Sequence, residues 1–399
     1  MKLFGKKEMR RILKGRKATL FIFLIVALAL LLSIGCPVYA ADVDKADGDG
    51  TLPEEYGEFI ESLPDEIIDA LPDEIFGGDI GSLSGAADRM SGVSYLLSRL
   101  FDAFGSALGE LLPTLALLMA IVIFSALAKA FAANLGGLSE VIEFAAALCS
   151  YCSIAAVAVS SLDRLSRYFD MLFSAVGAFV PLYGVLYAAG GNINGAASGS
   201  VTLSATLAVC QFFFSKTVIP FFCICLSLTM LTVFEGSGGA GRAISASIKK
   251  WYTTALSFVM MILSIAIAAQ SILASKADGV AMRGVKFAAG SFIPIVGGTV
   301  SGTLGTLAAS VELIRGSVGV VGIIIIILLL IPIIVELAAL RGIFSLLSFA
   351  SGLVGCGGEK SLLDEIGSLY GYLEGIAALS AVVFLISFAI FAATSAAVV

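Results

Sequence analysis

The sequence contains no histidine. That absence removes Ser–His and Cys–His nucleophilic pairs, His-ligated zinc and the usual proton shuttle near neutral pH. Charge is scarce as well: 14% of the 399 residues are Asp, Glu, Lys or Arg, against about a quarter in a soluble domain. The seven cysteines (Cys36, Cys149, Cys152, Cys210, Cys223, Cys225 and Cys356) provide no disulfide framework. Cys149-x-x-Cys152 has zinc or redox spacing but lacks a second pair or a histidine and lies in an apolar run, so the cysteines read as small packing residues. The glycine-rich stretch 236–241 lacks the Lys-Ser/Thr of a phosphate loop and follows no strand, which makes it a linker. No metal, cofactor or nucleic acid is expected, and no enzyme.

What remains is apolar. Hydrophobic residues make up 59% of the chain and the mean hydropathy is +1.02, which points to an all-α polytopic membrane protein. The net charge of −6 is unevenly distributed. Residues 1–17 carry eight basic groups against Glu8, and residues 41–80 carry fourteen carboxylates against Lys45, while the rest is balanced. The basic head precedes an apolar run, 18–34, and the small-residue pattern Val38-Tyr39-Ala40. This is the layout of a secretory signal peptide cleaved after Ala40. An uncleaved first span is the alternative, and seventeen residues is at the lower edge of bilayer thickness.

Three domains follow: a signal peptide (1–40), an acidic exported arm with short helices (41–110) and a multi-span domain (111–399). The arm repeats a motif at Leu52-Pro-Glu-Glu-Tyr56, Leu63-Pro-Asp-Glu-Ile67 and Leu71-Pro-Asp-Glu-Ile75. Proline followed by two acids is first-turn helix chemistry. Ile60, Leu63, Ile67, Ile68 and Leu71 would form a thin apolar face, and the charge density predicts a solvated arm. Asp42-Val-Asp44 does not start a calcium loop, because Ala46 and Pro53 stand where acids are needed.

Apolar runs of bilayer length predict about eight spans: 111–133, 141–161, 171–190, 201–215, 217–234, 251–274, 318–340 and 372–398. The fourth and fifth abut at Lys216 and read as a tight hairpin or a broken pair. The positive-inside rule is not satisfied by the basic loops 235–250 and 275–286 together if 251–274 crosses once. Ionisable residues in or beside the runs are Lys129, Glu143, Glu312, Arg315 and Glu336. Lys129 and Glu336, near run ends, are expected to snorkel to the headgroups.

A further apolar segment, 287–311, follows the turn signal Asp278-Gly279. Arg283 and Lys286 are three apart, share a helix face and would sit at headgroup level. Pro294, between Gly290 and the pair Gly297-Gly298, would break a helix, and broken backbone at membrane depth survives only in protein or beside water. Gly298 and Gly302 are four apart and permit close helix contact, while Gly316, Gly319 and Gly322 continue a glycine seam. A re-entrant or discontinuous pore element and tight helix packing both follow from these glycines.

The run from Asp278-Gly279 through Arg283-x-x-Lys286-Phe287 to Gly290-x-Phe292-Ile-Pro294-x-Val-Gly297, then Ser317-Val-Gly319-Val-Val-Gly322, resembles the stage III sporulation protein AE family of endospore-forming bacteria. Outside 270–322 the likeness is one of layout: signal peptide, acidic arm, length and spans. The resemblance implies a multi-pass membrane subunit of the channel complex between mother cell and forespore, needed for forespore development. It also implies residence in the mother-cell-derived membrane around the forespore, with other stage III sporulation A proteins and forespore protein Q as partners. It brings no catalytic residues. Self-association is left open, and the bilayer itself is a partner.

Residues 360–373 form an amphipathic stretch, with Leu362, Leu363, Ile366, Leu369, Tyr370 and Leu373 opposite Asp364, Glu365 and Ser368. It would dock on the bundle or on a partner. The competing function is a stand-alone secondary transporter with its site in 287–311, but no second copy of Gly290–Gly298 provides the expected inverted repeat.

Overall fold

The computed structural model describes residues 53–69, 71–76, 80–132, 138–190, 193–235, 240–292 and 297–393, with backbone alone from 270 to 313. The signal segment and its cleavage point lie outside the described residues, as do Pro294 and the tail of the last apolar run.

The described part of the acidic arm is largely helical. α1 (Glu54–Glu61), α2 (Asp65–Ile68) and a 3₁₀ turn (Asp73–Ile75) each start behind a proline: Pro53, Pro64 and Pro72, with φ of −55°, −61° and −65°. The ring presets φ, and the acids that follow occupy the first turn, against the positive end of the helix dipole. Ile60, Leu63, Ile67 and Leu71 are buried, and the ring of Phe59 meets Phe179 edge-on at 5.7 Å. The described part of the arm is therefore docked, not free in solvent. Its charge faces outward at Glu54, Glu58, Glu61 and Asp65, so high charge density and an anchored apolar face coexist. Tyr56 is buried too and donates to the Ile75 carbonyl at 3.3 Å. Burial pushes this phenol well above its ordinary pKa, so it stays a donor. α3 (Ile80–Ser91) turns Leu83, Ala86, Ala87 and Met90 inward.

Six long helices follow: α4 (Val93–Ala132), α5 (Leu138–Ala189), α6 (Ile193–Glu235), α7 (Ala240–Phe292), α8 (Gly297–Val354) and α9 (Gly357–Ala393). Among the described residues these six are long and apolar enough to cross a membrane, and no strand occurs. The eight predicted runs thus reduce to six helices. Runs 141–161 and 171–190 share α5, and runs 201–215 and 217–234 share α6. The charged residues between them include Arg164, Arg167 and Lys216, which are good helix formers, and no Gly or Pro interrupts either junction. The basic segments expected as loops, at 235–250 and 275–286, are likewise helical from Ala240 onward, all within α7. Asp278-Gly279 is helix and not a turn: one helical glycine costs about 1 kcal/mol, less than an apolar helix gains by continuing. α4 begins at Val93, inside the stretch read as arm.

These helices outrun a bilayer. The 52 residues of α5 extend about 78 Å at 1.5 Å per residue, against about 30 Å of hydrocarbon. Charged residues divide α5, α8 and α9 into an apolar stretch and a second stretch beyond it.

The core is built on α8, α9 and α5. α8 and α9 form an antiparallel hairpin. A Cβ on Gly319 would lie 2.6 Å from the Cβ of Ala392, and one on Gly322 would lie 2.0 Å from a ring carbon of Phe388. Of the two readings of the seam, close packing is the observed one at Gly319 and Gly322. The hairpin turns at Gly355, which has φ of +84°. Cys356 N–H donates to the Ser351 carbonyl at 3.0 Å and Gly355 N–H to that of Gly352 at 3.4 Å, the paired bonds of a glycine-terminated helix. α5 and α9 run parallel: Ser150–Glu359, Tyr168–Ala377 and Tyr370–Ser161 all pair at a separation of 209 residues. The ring of Phe179 packs at a tilt against Phe388, centroids 4.0 Å apart, and Phe173 meets Phe384 edge-on.

Candidate functional site

Among the described residues, the one place where charge is concentrated inside the bundle is a polar waist between the apolar stretches. Arg164 of α5 forms an ion pair with Glu336 of α8 and donates to Ser160 Oγ at 2.9 Å. Arg341, little more than a turn beyond Glu336, donates to Glu374 of α9 at 3.0 Å. Lys249 of α7 pairs with Glu365 of α9 at 2.5 Å, and Ser245 donates to the same carboxylate oxygen at 2.7 Å. The Lys249 ammonium also lies 6.0 Å from the centre of the Tyr372 ring, within cation–π range. Lys249 is only 1% exposed, so the pair is largely removed from water.

The waist continues along α9. Ser348 of α8 donates to Asp364. Ser150 of α5 donates to Glu359 at 3.2 Å, and Lys129 of α4 donates to the Gly355 carbonyl at 3.1 Å. Glu359 Oε2 and Glu374 Oε1 are buried with no hydrogen-bond partner among the described residues. Each pair joins two helices, so α5, α7, α8 and α9 are held at fixed heights. Ionic pairs removed this far from water add little net stability, because desolvation offsets their attraction.

Glu336 does not snorkel. Its helix carries on past it to Val354, so the run end that suggested headgroups is the middle of a helix, and Arg164 supplies the counter-charge. Arg164, Lys249, Arg341 and Glu374 were hidden in sequence because they fall at the margins of hydropathy runs. The signal available was the unbroken helical periodicity that runs through those margins. The amphipathic stretch at 360–373 docks on its own bundle: Leu362, Leu363, Ile366, Leu369, Tyr370 and Leu373 are buried, while Asp364 and Ser368 face out.

The residues singled out from sequence are distributed over two helices. Arg283, Lys286 and Gly290 lie on α7, and Gly297, Gly298 and Gly302 on α8, with Pro294 outside the described residues. Described helix stops at Phe292 and resumes at Gly297. Among the described residues, no three His, Cys, Asp or Glu side chains cluster as a metal set. The cysteines that are described carry free thiols. Cys210, Cys225 and Cys356 are buried, but Cys149, Cys152 and Cys223 face outward, so packing within the chain accounts for only three of the six.

Compared with known proteins, residues 85–395 match a family model described as stage III sporulation protein AE. No curated protein and no solved structure matches the chain.

Proposed function

We propose, on the premise that this chain belongs to the stage III sporulation protein AE family, that it is a membrane subunit of the channel complex between mother cell and forespore. In that role it lines or scaffolds a secretion or feeding conduit in the mother-cell-derived membrane around the forespore. Its partners are other stage III sporulation A proteins and forespore protein Q. The observation that carries the reading is the family match, which extends over all six long helices.

Two features support it. The polar waist ties four helices into one body, as a subunit seated in a larger assembly requires. The arm helices are docked through Phe59 while their carboxylates face away, leaving an acidic surface for partners. In this reading Gly290, Pro294, Gly297, Gly298 and Gly302 form the conduit element or a helix interface, with Arg283 and Lys286 at headgroup level.

Affinity purification from sporulating cells in mild detergent is the test. Co-purification of the other channel proteins is the expected result, and recovery as a lone homomer overturns the proposal in favour of a stand-alone transporter. Cysteine accessibility along 287–311, in a background lacking native cysteines, tests the conduit element. Uniform protection from water-soluble reagents in the assembled complex excludes a pore-lining role.

A further inference from the structure

Between α6 and α7 lies an open groove of about 750 Å³. One end is polar: Lys216, Thr217 and Tyr252 gather there, Thr217 and Tyr252 sharing a hydrogen bond at 2.7 Å. The ring of Tyr252 stacks on Phe221 at 4.0 Å and 11°, which fixes that end. The rest is lined by Pro220, Phe221, Ile224, Ile244 and Ile248. Among the described residues no carboxylate lines it.

Lys216 lines this groove, and Lys250 stands next to its lining residue Trp251. Lys216 and Lys250 are exposed, and neither side chain has a hydrogen bond or ion pair among the described residues. Their neighbour Lys249 is consumed by Glu365. Lys250 lies three residues beyond the groove-lining Ser247, and so on the same helix face. Next to it Trp251 is 77% exposed. A tryptophan beside unpaired lysines on an apolar helix is the composition of a bilayer interface, where the indole and the ammonium groups sit at headgroup depth.

We propose that this groove binds an anionic phospholipid. Its phosphate is held at the rim of the groove between Lys216 and Lys250, and one acyl chain lies along Pro220, Phe221, Ile224 and Ile248. Charge complementarity selects this occupant: an apolar helix of a second copy would fill the slot but strand two ammonium groups in hydrocarbon, which is costly. A basic pocket between membrane helices is the recognised setting for acidic lipid headgroups. The inference requires α6 and α7 to sit in a bilayer, and it stands or falls independently of the conduit.

Trp251 is the sole tryptophan of the chain, so its fluorescence reports this groove directly. The full chain, reconstituted in phosphatidylcholine vesicles, is titrated with brominated phosphatidylglycerol or, at equal fraction, brominated phosphatidylcholine. The expected result is quenching at lower fractions of the anionic lipid. The preference should fall about fivefold for each lysine removed in K216Q and K250Q. K216R/K250R should retain it, which separates charge from folding. Identical quenching by both lipids overturns the proposal, as does a preference untouched by K216Q/K250Q. An indole that neither lipid quenches shows that protein fills the groove, and overturns it equally.

Discussion

Lys249 shows how one residue can matter more than its net worth. Buried pairs contribute little over an apolar substitute, but removing one partner leaves an uncompensated charge. Lys249→Met should therefore destabilise the protein by about 3 kcal/mol, read as a lowered unfolding midpoint in detergent. Adding Glu365→Gln should recover most of that loss, and equal midpoints for the single and double variants would show that the pair is not coupled. The hairpin glycines offer a steric counterpart. Phe388 cannot yield to a methyl at Gly322, because its ring is pinned against Phe179 at 4.0 Å. Gly322→Ala should cost about 2 kcal/mol by overpacking. Gly316→Ala, with open space around it, should be neutral or slightly stabilising. A thermal-shift comparison in which both variants behave alike would refute the close approach.

At the scale of elements, the α8–α9 hairpin depends on its turn. Gly355 is the described residue with a left-handed backbone, and its carbonyl also accepts from Lys129. A Cβ there meets no atom within 4 Å, so the penalty for Gly355→Ala is conformational, about 1 kcal/mol. Gly355→Asn, which tolerates this region better, should lie between alanine and wild type in unfolding midpoint. A ranking with alanine at or above wild type would contradict the turn geometry. The arm helices make a different point. Short segments such as α1 and α2 are too brief to persist alone, and proline N-caps with acidic first turns only bias them. Docking of Phe59 on Phe179 fixes them.

For the whole molecule, the pattern of burial separates inner from outer surface. α4 exposes Phe101, Leu112, Phe124 and Phe131 along its length, an apolar exterior suited to lipid. The thiols report the same division chemically. In detergent solution N-ethylmaleimide should modify Cys149, Cys152 and Cys223 and spare Cys210, Cys225 and Cys356 until denaturant is added. Peptide mass mapping reads the result. Prompt labelling of the buried three would mean a looser bundle. Deleting 42–80 removes the apolar cover of Phe179 along with the acidic surface. The truncated chain should unfold earlier and fail to hold its partners, as seen by pull-down; unchanged stability and recovery would refute the docked arm.

Composition alone determined that the chain is helical and apolar enough for a membrane, because transfer of apolar side chains depends on residue type and not on neighbours. The prolines before paired acids likewise marked real helix starts, since φ restriction and dipole contacts are local. Hydropathy could not count the helices. It measures where apolar residues pause, and at Arg164 and Lys216 the pause is a charge on a helix that continues. Whether such a charge ends a span, reaches for headgroups or pairs inside depends on what lies across from it. Glu336 and Arg164 are 172 residues apart, and Lys249 and Glu365 are separated by 116. Only the packing of α5, α7, α8 and α9 brings those partners together, so the ionic waist belongs to the tertiary structure.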